Sequence, residues 1–151
     1  MKTTTCGVII TDGEQLVLGR VTGTSQWDIP KGGQAPGESF LITAIRELYE
    51  ETGLAASPSQ LVELGPLSYR PDKDLTLFLW HVDQLPNPKM LKCSSRCLDR
   101  SGKTTPEFDK FRLASWDELP NRLPKRLARI MDAVSKSPLV KHPRVPMPMV
   151  A

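Results

Sequence analysis

The chain predicts an α/β fold in which helices pack on a sheet, and three observations carry that prediction. Two β-like runs, 4–10 and 15–20, flank Asp12-Gly13, a strong hairpin signal. Residues 39–52 and the stretch from Leu123 to Val134 repeat apolar residues at helical spacing. Further strand-like runs lie between these two helices, an order that places helices against a sheet.

The elements follow in chain order. After the first hairpin, residues 21–26 read as a loop leading into Trp27-Asp28-Ile29-Pro30. Pro36-Gly37 is a turn signal just ahead of the first helix. Ser39 suits the N-cap of that helix, and Gly53 suits a left-handed stop after its last turn. Leu41, Ala44, Ile45 and Leu48 form its expected buried stripe. Residues 61–70 and 75–83 read as strands, the second as the apolar run LTLFLWHV. Trp80 and His81 alternate there, so one of the two is expected to face the core. The Pro-rich, polar stretch 84–107 reads mostly as loop, and 108–114 as another strand. Ser115 with Glu118 three residues on has the capping-box spacing of a short turn over 116–119. Leu123, Leu127, Ile130, Met131 and Val134 define the second helix. Residues 1–137 are expected to form one domain, and 138–151, with four prolines, an extended basic tail.

Composition fits an ordinary globular enzyme. Hydrophobic residues make up 39% and charged residues 25%, which excludes a disordered or membrane-embedded class. No apolar run approaches the ~20 residues of a membrane span. The N-terminus lacks the pattern of a secretory signal. Cys6, Cys93 and Cys97 are an odd set and not a disulfide framework, so a reducing cytoplasm is expected. Cys93-Ser94-Ser95-Arg96-Cys97 invites a zinc site, but no second ligand pair is visible. The net charge is +3; setting aside Lys136, Lys141 and Arg144 leaves 17 basic against 17 acidic residues. A broad polyanion-binding surface is therefore not expected, and Lys125, Arg126 and Arg129 read as a solvated helix face.

The most informative stretch runs from Gly32 to Leu54, GGQAPGESFLITAIRELYEETGL. Glu47, Glu50 and Glu51 fall within an arc of roughly 100° on the helix surface. Like charges at this spacing repel by about 0.2–0.5 kcal/mol per pair. Three such acids after a glycine loop suit hard divalent cations, which prefer oxygen ligands. The alternative is an ordinary acidic solvent face. Their centre lies about a quarter-turn from the apolar stripe, so the acids are expected beside the core.

This stretch resembles the Nudix hydrolase signature, G-x5-E-x7-R-E-U-x-E-E-x-G-U, where U is a bulky aliphatic residue. Gly32, Glu38, Arg46, Glu47, Leu48, Glu50, Glu51, Gly53 and Leu54 fill every fixed position. WDIPKGG at 27–33 and PEFDKFRLASWDEL at 106–119 are similar to segments of dinucleoside polyphosphate and RNA 5′-end members. The resemblance implies an α/β/α sandwich around a mixed sheet and hydrolysis of a phosphoanhydride with Mg2+, or Mn2+ in its place. It implies metal ligation by Glu47, Glu50, Glu51 and the Gly32 carbonyl, with Arg46 orienting Glu47. Glu38 reads equally as an outer-shell group and as a helix-start acid. Glu107 stands where related enzymes carry a further metal ligand or general base; the alternative is a surface loop acid. The proton acceptor is expected to be Glu47, then Glu107.

Arg20, Lys31 and Arg70 are candidate phosphate contacts, and Tyr69 a candidate stacking ring. Trp27 reads as a packing residue. The expected substrate is a small nucleotide, a dinucleoside polyphosphate first, an RNA 5′ end second and an oxidised nucleotide third. The contrasting possibility is a non-catalytic nucleotide-binding module. Sequence leaves the oligomeric state open.

Overall fold

A computed structural model of the chain describes residues 2–141. The first strand, β1 (Thr3–Thr11), turns through Asp12-Gly13 into β2 (Gln15–Val21). Asp12 Oδ1 accepts from the backbone N–H groups of Glu14 and Gln15, and Gly13 takes φ 101°, as this tight turn requires. Two short strands follow, β3 (Trp27–Asp28) and β4 (Lys31–Gly33). They follow the expected loop 21–26, in a stretch read without a strand, and are too short to show a periodic pattern.

Helix α1 (Phe40–Thr52) has the predicted caps. Ser39 Oγ accepts from Ile42 N at 3.2 Å, and Gly53 sits left-handed at φ 80° with its N–H on Tyr49 O. Strands β5 (Val62–Arg70) and β6 (Lys73–His81) come next. The span 84–107 is more ordered than expected. It holds a 3-10 turn at Pro88–Met90 and a small hairpin of β7 (Arg96–Leu98) and β8 (Thr104–Pro106). Asp99 Oδ1 closes that hairpin by accepting from Ser101 N, Ser101 Oγ and Lys103 N. Its strands are short and polar, so no apolar alternation announced them.

Strand β9 (Phe108–Ser115) leads into the predicted capped turn, where Ser115 N donates to Glu118 Oε2 at 2.7 Å. Helices α2 (Leu119–Arg122), α3 (Lys125–Ser135) and α4 (Pro138–Lys141) complete the described chain. The expected extended tail is thus corrected over its first four residues, because Val140 is buried in the core beside α3. Residues 142–151 of that expectation lie outside the described residues.

The main sheet is mixed. Its order is β3-β2-β1-β6-β5, with β4 also paired to β1 and β9 to β2. β1 and β6 run parallel in register from Thr3↔Lys73 to Thr11↔His81, and the other pairs are antiparallel. Side-chain alternation sorts the core into two layers. Cys6, Val8, Ile10, Val17 and Phe78 face α1, while Ile9, Leu16, Leu18, Leu75, Leu77 and Leu79 face α3. Helices therefore cover both sheet faces, the α/β/α arrangement the resemblance implies.

The stripe on α1 is displaced from expectation. Ala44 and Leu48 are buried, but Leu41 and Ile45 are only half-buried. Thr43, Glu47, Glu51 and Thr52 complete the buried face instead. Two of the three acids thus sit on the core-facing side, not merely beside it.

Candidate active site

The candidate site lies where α1 meets β4 and the segment before β9. Glu51 is 1% exposed and Glu47 9% exposed, whereas the Glu50 side chain is 40% exposed. Glu51 Oε1 accepts from Lys31 N at 3.0 Å. Among the described residues, its Oε2 is buried with no hydrogen-bond partner. Burial is the main force raising the Glu51 carboxyl to about 10, opposed by the Lys31 N–H and reinforced by the charges of Glu107 and Glu47. Burial likewise raises Glu47; Arg46 opposes the shift, and Glu50 and Glu107 add to it.

Glu107 lies at the junction of β8 and β9 and is half-buried. Although distant in sequence, it acts electrostatically on both Glu47 and Glu51. A bulge in β9 helps set this junction: Arg20 pairs with Lys110 and Val21 with Phe108, leaving Asp109 as an extra residue. The Phe108 ring then packs on Gly19, where a β-carbon would overlap it.

Arg46 organises the outer edge. Its guanidinium grips Glu38 through Nε at 2.7 Å and Nη2 at 2.9 Å. Nη1 donates to Glu47 at 2.8 Å and to Glu50 at 3.2 Å, and Nη2 to Gly33 O at 3.2 Å. Glu38 Oε1 also accepts from Ala35 N and Thr43 Oγ1. The Arg46 fork, helped by Ala35 N, holds the Glu38 carboxyl down at about 2. Glu38 therefore braces the loop and the arginine.

Among the described residues, no three Cys, His, Asp or Glu side chains already converge as a finished metal cage. Arg46 draws Glu47 and Glu50 to itself, and the Lys31 N–H holds one oxygen of Glu51. The donor set still suits a hard cation. It is all oxygen, it has an orphaned buried carboxylate oxygen, and Gly32, lacking a side chain, lets the Glu47 carboxylate lie directly against its backbone. The zinc pattern does not assemble: Cys93 Sγ points to Ser95 O at 3.5 Å, and exposed Cys97 lies 3.9 Å from Thr105 Oγ1.

The candidate substrate contacts are dispersed. Arg20 Nε is engaged by Asp109 at 2.9 Å. Lys31 Nζ pairs with Asp28 at 2.8 Å; burial works against its charge, but Asp28 more than offsets this and raises it. Tyr69 is buried in the α3-side core with Arg70 stacked 5.2 Å from its ring centroid. Trp27 is a packing residue, covered by the Arg112 guanidinium at 5.5 Å. Trp80 packs against the α1-side core, while His81 buries Nε2 near Gly13. Sequence reading missed a cavity of about 800 Å3 between the 3-10 turn at Pro88–Met90 and β9. Lys89, Lys92, Lys110, Phe108 and Phe111 line it, and Pro106 brings it beside Glu107.

The chain matches the NUDIX domain family over residues 1–134, from β1 into α3. The chain belongs to the Nudix family. With pyrophosphohydrolases among its relatives, it is a hydrolase acting on pyrophosphate bonds. It is 34% identical over 143 residues, 87% of this chain and 95% of the relative, to an uncharacterised 17.7 kDa protein of Enterobacteria phage T4. An RNA pyrophosphohydrolase of Teredinibacter turnerae is 34% identical over 73% of this chain and 69% of its own. An asymmetrical bis(5′-nucleosyl)-tetraphosphatase of Mus musculus is 46% identical over a shorter stretch, 33% of this chain and 34% of its own. The crystal structure of a C. elegans Ap4A hydrolase binary complex shares the fold, with TM-score 0.61 and 18% identity over 88% of this chain and 95% of that one. Among the described residues of this Nudix protein, no helix is long and apolar enough to cross a membrane.

Proposed function

We propose that the protein hydrolyses a phosphoanhydride in a nucleoside diphosphate linked to another group, with Mg2+ or Mn2+ held by Glu47, Glu50, Glu51, Glu107 and the Gly32 carbonyl. The observation that carries this reading is the buried carboxylate pair Glu47 and Glu51, one oxygen of which has no partner among the described residues. An uncompensated buried acid costs stability, and a bound cation would offset that cost. When bound, divalent cations neutralise the phosphate oxygens and acidify a water.

The protein's own groups do the rest. Arg46 fixes the orientation of Glu47 and is itself fixed by Glu38. Burial of Glu47 raises its proton affinity, which suits an acceptor for a proton leaving water. Glu107 acts electrostatically on the same two carboxylates and is the second candidate base. Lys31, on the same short strand as Gly32, keeps its charge through Asp28 and is available to phosphate through a local shift of that pair.

For the substrate, a dinucleoside polyphosphate is the leading reading. Local similarity to the mouse tetraphosphatase supports it, and the balanced charge of the body suits a short ligand better than a long polyanion. The RNA 5′ end is the second reading, favoured by RNA pyrophosphohydrolase relatives that cover 73% and 91% of this chain. Purified protein with Mg2+ is to be offered diadenosine tetraphosphate, 5′-triphosphorylated RNA and an oxidised nucleoside triphosphate, with products resolved by chromatography. Preferential turnover of the dinucleotide supports the first reading, and preferential release of pyrophosphate from RNA supports the second. No turnover of any of them across several metals and pH values would reject hydrolysis in favour of a binding module.

A further inference from the structure

The Cys93–Cys97 segment, whose thiols are gathered into no metal-binding cluster among the described residues, has a different use. A helix ends with carbonyls that lack partners inside the helix. At the end of α1 one of these is Glu50 O, and it accepts from Ser94 N at 2.7 Å, Ser95 N at 2.9 Å and Ser94 Oγ at 3.1 Å. Thr52 O accepts from Lys92 N at 3.0 Å, so residues 92–95 cap two carbonyls of the last turn. The same segment reaches the other wall of the site. Ser95 O accepts from Glu107 N at 3.1 Å. From the far side, Glu107 O accepts from Thr22 N at 3.0 Å, and Pro106 O from Thr22 Oγ1 at 2.5 Å.

These bonds form one unbroken path from Glu50 through Ser94-Ser95 to Glu107 and Thr22. The path joins the helix that carries three of the site's carboxylates to the loop that carries the fourth. Glu107 otherwise stands at a strand junction, where a peptide shift of an ångström would move its carboxylate relative to Glu51. We infer that Ser94 and Thr22 are positioning residues: their hydroxyls brace the two walls and fix where Glu107 stands against Glu47 and Glu51. The inference rests on the assignment of Glu107 to the site, and the test separates the two.

Ser94→Ala and Thr22→Val each remove one hydroxyl bond and leave the backbone donors in place. Ser94→Thr and Thr22→Ser restore a hydroxyl. Each variant is to be made alone and together with Glu107→Gln. Mn2+ affinity is measured by calorimetry, kcat is measured on diadenosine tetraphosphate or 5′-triphosphorylated RNA, whichever is turned over, and unfolding is followed thermally. Outer-shell losses at metal sites typically cost about 10–100-fold in affinity or activity. We expect a loss near the lower end of that range for Ser94→Ala and Thr22→Val. The hydroxyl-restoring variants should recover it, and neither loss should persist in the Glu107→Gln background. Equal losses with and without Glu107 would overturn the brace, since they would show a general structural effect. Unchanged Mn2+ affinity and kcat in both single variants, with Glu107→Gln impaired, would overturn the brace alone. Full Mn2+ affinity and activity in Glu107→Gln would overturn the assignment of Glu107 and the brace with it. Should Thr22→Val unfold, Ser94→Ala with the Ser94→Thr rescue decides the matter.

Discussion

The α-carbon of Gly32 lies against the carboxylate of Glu47, so closely that a β-carbon at position 32 would overlap it. Gly32→Ala is therefore expected to push Glu47 out of place and lower kcat at least tenfold. Overpacking of this kind also costs about 1–3 kcal/mol of stability. Steady-state kinetics beside chemical denaturation checks both; wild-type kcat in a folded Gly32→Ala protein would remove Glu47 from the site.

Glu51→Gln keeps the shape and the oxygen that accepts from Lys31 N but cannot carry the charge. Turnover is expected to vanish while the fold persists. In metal-free protein the sign of the pH effect follows from a folded pKa raised to about 10, above that of an exposed carboxyl. The folded state holds the proton that the unfolded chain releases. This stability is full below the ordinary carboxyl range and drains away as pH rises toward 10. The variant lacks that drain. Its melting temperature in EDTA should pull ahead of wild type between pH 5 and pH 9, the gap widening with pH. A constant gap would place Glu51 in contact with water.

Arg46→Lys retains one positive charge but cannot reproduce the fork that grips Glu38 while also reaching Glu47, Glu50 and Gly33 O. We expect kcat to fall about 10–100-fold, the range for lost outer-shell contacts. The melting temperature should change little, because Arg46 is partly exposed. Kinetics within twofold of wild type would show that charge alone suffices.

Leu48→Ala tests the frame. Leu48 is fully buried between α1 and the sheet, and truncation there should cost roughly 2–5 kcal/mol. Denaturant titration gives the value. A loss under 1 kcal/mol would mean that the helix is not anchored through this residue.

Much of the frame was readable from residues. Asp12-Gly13, Ser39, Gly53 and the Ser115–Glu118 pair mark element ends by local chemistry, and the structure uses each of them. The nearly continuous apolar run in LTLFLWHV marks a strand packed on both faces. The buried face of α1 was harder to place, because a hydrophobic pattern counts Glu47 and Glu51 as outward-facing. Their burial depends on β4 and Glu107, which lie elsewhere in sequence. The β7–β8 hairpin was hidden because it is short, polar and largely exposed. Helix α4 was hidden because a proline-rich tail gives no hint that Val140 meets the core. The Ser94 and Thr22 hydroxyls bond backbone carbonyls far away in sequence, at Glu50 and Pro106, so no local motif could announce them.

The bulge in β9 has a consequence for how this chain tolerates change. Side chains along a strand swap sides with every step, so a regular ladder from Lys110 back to Val21 would turn residue 107 toward the opposite side. The single surplus residue, Asp109, anchored by Arg20, acts as a parity switch for the acid two places before it. Losing one codon there would leave the composition almost untouched, yet it is expected to turn Glu107 away from Glu47 and Glu51, the two carboxylates on which its charge acts.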